Sequence, residues 1–262
     1  MKKYTLMLTA VLIGVGALFF AGSAPESQAN ASVEVIEFDE TDVYFEYNST
    51  DLDLGLHLFF DAEGWEKVDV TGPNGTRFSI KNGGALRQLG STEVFTESAE
   101  PALDEENLEE EIAAFKAMFP EGEYRFRGRT INGDMLEGEA ELTHDLPAAP
   151  GLIFPDPESE ENVADPEATV IEWSDASGLG DPVIVRYEIV VEFEDEESEE
   201  VFVVAIQVPA DAEAASQSVT IPAEFFAGLE GRDGDYKAEV VAIEGTRNAT
   251  IVEAEFELAE EE

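Results

Sequence analysis

The residues whose types and spacing could do chemistry are Asp51, Asp53 and His57, with Asp39, Glu40 and Asp42 just upstream. Calcium is held by several carboxylate and carbonyl oxygens at about 2.3–2.6 Å. Asp51-x-Asp53-x-Gly55 is a fragment of such a loop. It lacks the third acid before the glycine and the closing glutamate of an EF-hand. Asp51 and Asp53 are therefore the metal candidates, beside a plainer reading as a polar strand entrance. Calcium is the one cofactor the chain suggests. His57 and His144 are the only histidines, and neither has a His or Cys at ligand spacing, which argues against zinc.

Other chemistries are poorly served. With no Cys, the chain has no disulfides, thiolate ligands or Cys nucleophiles. No Gly-x-Ser-x-Gly elbow, phosphate loop or dinucleotide fingerprint occurs. Among 60 acidic residues a glycosidase pair can be drawn almost anywhere, so no one pair is informative. No catalytic or cofactor-binding residue is assigned, and the chain is read as a non-enzyme. Trp65 beside Gly64 could offer an exposed sugar platform, beside the plainer reading that it plugs the core.

Charge bounds the partners. The 60 acidic residues face 14 basic ones, a net of −46. Nucleic acid and anionic membrane surfaces would be repelled. The acid is spread along the whole chain, which reads as adaptation to salt. The screening length falls from about 10 Å at 0.1 M to about 3 Å at 1 M, and crowded carboxylates then become tolerable.

The first residues read as an export signal. Lys2 and Lys3 precede an uncharged apolar run from Thr5 to Ala21. Ala29-Asn30-Ala31 offers a small-x-small cleavage site, and Gly22-Ser23-Ala24 a second. Cleavage near Ala31 would take away Lys2, Lys3 and Glu26 and leave 59 acidic and 12 basic residues, a net of −47. The expected location is secreted, periplasmic or cell-envelope. The Asn-x-Ser/Thr triplets at Asn48, Asn74 and Asn248 carry little weight in a bacterial envelope.

The elements that must position these residues are mostly strands. Val33 to Phe38 and Val43 to Tyr47 are short strands, and Asn48 to Asp53 is turn material. Leu52, Leu54, Leu56, Leu58 and Phe60 alternate with Asp51, Asp53, Gly55 and His57. Trp65 to Val70 and Thr76 to Ile80 flank the turn Gly72-Pro73-Asn74-Gly75, and Thr92 to Thr96 is a further strand. One helix is expected over 104–119. Asp104 is its N-cap, and Leu108, Ile112, Phe115 and Phe119 form its apolar stripe before Pro120 stops it.

Tyr124 to Leu142 must be a hairpin. A two-residue Asn132-Gly133 turn would set Phe126 opposite Glu139. A three-residue loop, Ile131-Asn132-Gly133, sets Phe126 opposite Gly138 and puts Gly133 in the left-handed position. It also faces Arg125 with Glu139 and Arg127 with Glu137, as cross-strand ion pairs.

Residues 147–166 carry Pro147, Pro150, Pro155, Pro157 and Pro166 among acids and read as a linker and the start of a second domain. Beyond it come strands at Leu152 to Phe154, Thr169 to Trp173, Val183 to Phe193, Val201 to Val208 and Ser218 to Ile221. Asp235 to Leu258 closes the series as a hairpin turning at Gly245 to Ala249.

Trp173, Tyr187 and the Tyr236-x-Ala238-x-Val240-x-Ala242 pattern make residues 150–258 resemble a fibronectin type III domain. That resemblance implies a seven-stranded sandwich with Trp173 and Tyr236 as core and corner residues. The family has a leucine six residues before the late tyrosine, whereas Leu229 stands seven before Tyr236. Residues 32–146 are similar to the leading region of secreted bacterial proteins that carry such a domain.

The expectation is an all-β chain of two β-sandwich-like domains. Residues 32–146 form the first, with the one inserted helix. The second is followed by an acidic tail at 259–262. The function read from it is a non-catalytic binding or spacer module, exported by a salt-adapted bacterium and facing a protein or glycan at the envelope. The alternatives are a calcium-dependent adhesin-like module and a carboxylate-pair glycan hydrolase.

Overall fold

The computed structural model describes residues 33–159, 161–176, 182–195, 198–207 and 217–259. The expected export signal, its expected cleavage sites and the last residues of the expected acidic tail lie outside them. In chain order the elements are β1 (Val35–Glu37), β2 (Glu40–Asn48), β3 (Asp53–Thr71), β4 (Arg77–Lys81), α1 (Leu86–Leu89), β5 (Ser91–Glu97), α2 (Leu108–Met118), β6 (Gly122–Thr130) and β7 (Met135–Leu142). Then follow β8 (Gly151–Phe154), β9 (Val163–Ala164), β10 (Val170–Ser174), β11 (Ile184–Glu194), β12 (Glu199–Gln207), β13 (Gln217–Thr220), α3 (Ala223–Ala227), β14 (Asp235–Glu244) and β15 (Ala249–Leu258). The fold is an all-β sandwich.

β3 is the spine of the N-terminal half. Its first part lies between β2 and β5, and its second between β4 and β6, with the register shifting between Asp61 and Trp65. Leu54, Leu56, Leu58 and Phe60 enter one core with Val43 and Phe45 of β2, as their alternation requires. Leu52 does not join that run. It sits in the turn at φ 55°, and the strand starts one residue later. Trp65 is fully buried, and its Nε1 donates to the Thr92 carbonyl at 3.1 Å, so it fills the core. Asp104 caps a short 3-10 turn, accepting from the Glu106 N–H at 3.0 Å, and α2 follows. From α2, Phe115 is buried and Ile112 packs beside it.

The β6–β7 hairpin has the register argued from its loop. Phe126 pairs with Gly138, Arg125 with Glu139 and Arg127 with Glu137, and Gly133 takes φ 97°. The expected ion pairs do not follow from it. Arg125 instead binds Glu123 on its own strand, because residues two apart also share a face and solvent leaves the guanidinium free to choose.

The second core lies between two sheets. β13, β10 and β8 form a three-stranded sheet, and β12, β11, β14 and β15 run side by side opposite it. Trp173 and Tyr187 are fully buried between them with ring centroids 5.5 Å apart. Tyr236, Ala238, Val240 and Ala242 of β14 point into this core, with Val252, Ala254 and Phe256 of β15. The proline-rich stretch is partly structured. It contains β8 and β9, and Asn162 Nδ2 donates to the Glu255 carbonyl at 3.0 Å.

The two cores share one sheet. β15 pairs in parallel with β2, Thr250 opposite Tyr47 and Ala249 opposite Glu46. Residues opposite one another across a ladder point to the same side. Tyr47 packs against the first core, and Thr250 follows the same alternation as Val252 in the second. Both cores therefore lie on one side of the shared sheet. Its other side carries Glu46 on β2, His57 on β3, and a small apolar group of Val241, Ile243, Ala249 and Ile251.

A candidate metal centre on the back of the shared sheet

His57 stands on β3 opposite Tyr44 of β2 and Glu97 of β5. The leucines on either side of it point into the core, so alternation turns the imidazole to the other face. It is only 2% exposed there. The rings of Tyr44 and Phe95 flank it, with centroids 5.1 and 5.4 Å away. Two carboxylates approach its Nε2. Glu100 Oε1 is at 3.3 Å and Glu46 Oε1 at 3.9 Å. The three candidate ligand atoms lie within 4.8 Å of one another.

Each partner arrives by a different route. Glu46 stands opposite Gly55 in the β2–β3 ladder, next to the Tyr44–His57 pair. Glu100 comes from the loop after β5. It lies over Gly55, where an added Cβ would fall 2.5 Å from Glu100 Oε1. A side chain at this position would push the Glu100 carboxylate aside. The sequence separated His57 from any obvious ligand. The structure supplies Glu46 and Glu100, which local spacing could not single out among so many acids.

The electrostatics of the group are tense. Burial pushes the Glu46 carboxyl above its usual range, His57 pulls it back, and Glu100, Glu97 and Glu188 push it up further. For His57, burial opposes protonation, but the hydrogen bond to Glu100 and the field of Glu46 outweigh it and hold the imidazole above its ordinary value. The Nδ1 of His57 is buried with no hydrogen-bond partner among the described residues.

The two residues singled out from sequence sit at the edge of this group. Asp53 begins β3, opposite Asn48. Burial lifts its carboxyl to about 6, helped by Glu100, Asp51 and Glu253. Asp51 is exposed in the turn, and its N–H donates to Asn48 Oδ1 at 3.1 Å. Neither is among the three ligand atoms that converge on His57. His144 lies elsewhere, its Nε2 at 2.8 Å from the Phe119 carbonyl.

A second acidic group occupies the same side of the sheet. Lys237 Nζ lies 2.7 Å from Glu239, 3.3 Å from Glu253 and 3.4 Å from Glu192. Glu239 is 3% exposed, and burial drives its carboxyl well above the usual range despite the lysine. One ammonium is thus shared by three carboxylates, which the sequence reads as ordinary alternation of Lys237, Glu239 and Val241.

Comparison with known proteins adds little to this geometry. No family model and no curated protein matches the chain. Among solved structures it is similar to one described under host cell surface retention of a 1.5-MDa bacterial ice-binding adhesin, at 12% identity over 88% of this chain and 66% of that one, with a TM-score of 0.25. It is also similar to a tetra-tandem repeat in the extending region of a large adhesion protein, at 14% identity over 83% and 50%, with a TM-score of 0.26. A third is the BSP domain of a biofilm associated protein, at 12% identity over 86% and 30%, with a TM-score of 0.24. At these scores the likenesses carry no argument about function. The chain spans less than two thirds of the length of two of these structures and just under two thirds of the other.

Proposed function

We propose that the chain is an exported, non-catalytic binding or spacer module of a salt-adapted bacterium, working at the envelope or outside the cell. The observation that carries this reading is the shared sheet. The β2–β15 pairing joins two cores through backbone hydrogen bonds, and Arg247 of the β14–β15 turn reaches β2, with Nε 3.1 Å from Asp42 and a second bond to Glu40. A joint made of ladder bonds and ion pairs resists bending, which suits a part that holds a surface at a distance. The export signal and the acidic coat support an extracytoplasmic, salty setting.

The second core supports a fibronectin type III-like arrangement. It has three strands facing four, with Trp173 and Tyr187 buried between them and Leu229 packed in the same core as Tyr236. The expected partner is a protein or glycan of the envelope, and nucleic acid and anionic membrane are disfavoured by charge. Fractionation of the producing cells tests the location. The chain should appear in envelope or medium fractions with a new N-terminus near Ser32 or Pro25. Recovery of intact Met1 in the cytosol overturns it. Protein and glycan arrays probed in salt then distinguish binding from spacing.

A further inference from the structure

From the geometry around His57, we infer that Glu46, His57 and Glu100 form a binding site for a zinc-type divalent ion. The site staples β2, β3 and the loop after β5 together on the back of the shared sheet.

The donor set is right for such an ion. One imidazole nitrogen and two carboxylates are ordinary zinc ligands, with a fourth position left to water. The spacing is nearly right as well. Bonds of about 2.0–2.2 Å in a tetrahedron put neighbouring ligand atoms roughly 3.3–3.5 Å apart. His57 Nε2 is already 3.3 Å from Glu100 Oε1 and 3.9 Å from Glu46 Oε1, within a set no wider than 4.8 Å. Small rotations of two glutamate side chains close the remaining gap.

Two further observations point to a cation. The first is Gly55. The Glu100 carboxylate lies over it, beside Glu46 and His57, in the space a Cβ would take. The second is charge. Glu46 and Glu100 approach His57 Nε2, and Glu97 stands opposite His57 on β5. A divalent ion would bring two positive charges to the point where the Glu46 and Glu100 carboxylates converge on His57 Nε2. The rings of Tyr44 and Phe95 also pack against the imidazole. Packed between these rings, the imidazole turns Nε2 towards Glu46 and Glu100, while Nδ1 is buried without a hydrogen-bond partner among the described residues.

The test uses the full chain stripped with chelator, titrated with zinc chloride in about 0.5 M NaCl to screen diffuse binding by surface acids. One saturable equivalent of zinc is expected, with a higher Tm. Cobalt in its place should give the visible absorption of a four-coordinate site. His57→Gln and Glu100→Gln should each weaken zinc roughly tenfold or more, and Gly55→Ala should weaken it by displacing Glu100. Glu100 is on a loop and partly exposed, so its variant reports even if His57→Gln does not fold. A zinc isotherm unchanged in Glu100→Gln overturns the site. So does a gain that magnesium matches at equal concentration, since that is screening. The result is independent of where the chain is exported.

Discussion

The Phe45 N–H donates to Asn248 Oδ1 at 2.8 Å across 203 residues of sequence. Phe45 belongs to the first core, and Asn248 is the last residue of the turn that leads into β15. The same amide reaches back to a third segment, its Nδ2 donating to Thr143 Oγ1 at 2.8 Å and to the Thr143 carbonyl at 3.2 Å. Glu244 Oε1 accepts from the Asn248 N–H at 2.9 Å. One fully buried residue therefore joins the two halves, its side chain satisfying polar groups of the first and its backbone N–H bonding Glu244 of the second. It also cannot carry a glycan in the folded chain.

Asn248→Ala should cost about 1–3 kcal/mol for each buried group it leaves unpaired. The Phe45 N–H is the clearest of these. Urea denaturation measures it. A midpoint equal to the parent's would mean that the joint does not contribute to stability.

Trp173→Ala should cost about 3–5 kcal/mol, since the ring is fully buried against Tyr187. The loss should appear as a lower denaturation midpoint with little change in slope. An unchanged midpoint is incompatible with Trp173 in the core.

Stability should rise as pH falls from 8 towards 5. Burial raises Asp53 to about 6, and raises Asp42 to about 6 against the pull of Arg247; Glu46, Glu188, Glu192 and Glu239 also shift upward. A carboxyl with a raised folded pKa contributes stability that is present below its unfolded value and is lost as pH climbs through the folded one. His57 is raised too and acts in the same direction. Asp69 sets the lower limit. Its hydrogen bond from Lys67, with help from Ser79 and Arg77, holds it well below the usual range, so its contribution fades as pH falls under about 4. Tm scans at fixed salt test this, and a Tm that drops between pH 8 and 5 contradicts it. Glu239→Gln should flatten part of the slope.

Salt should stabilise the fold. A net of −46 brings like charges closer in the folded chain than in the unfolded one. Tm should climb with NaCl between about 0.05 and 1 M as the screening length shrinks towards the spacing of surface charges. Calcium and magnesium should give similar gains at millimolar levels. A saturable gain from calcium alone, lost in Asp53→Asn, would instead assign Asp51 and Asp53 to calcium. A Tm indifferent to salt removes the adaptation argument.

Local pattern determined a good deal by itself. The alternation of Leu54 to Phe60 and of Tyr236 to Ala242 set which side chains enter a core. The Ile131-Asn132-Gly133 loop set the β6–β7 register, because only one loop length kept both faces consistent. Asp104 and Pro120 marked the ends of the helical segment through capping chemistry. These signals are short-range, so they are written within a few residues of one another. The β2–β15 pairing has no such signature. Ala249 and Glu46 become neighbours only when the two halves dock, and a turn asparagine becomes the buried Asn248 at the same moment. The site followed the same rule. His57 and Gly55 were visible as a polar face, but any of dozens of acids could have met them. Which ones did, Glu46 by ladder register and Glu100 by the course of the loop after β5, was decided by tertiary structure, because carboxylates are placed by the backbone that carries them and not by their own spacing.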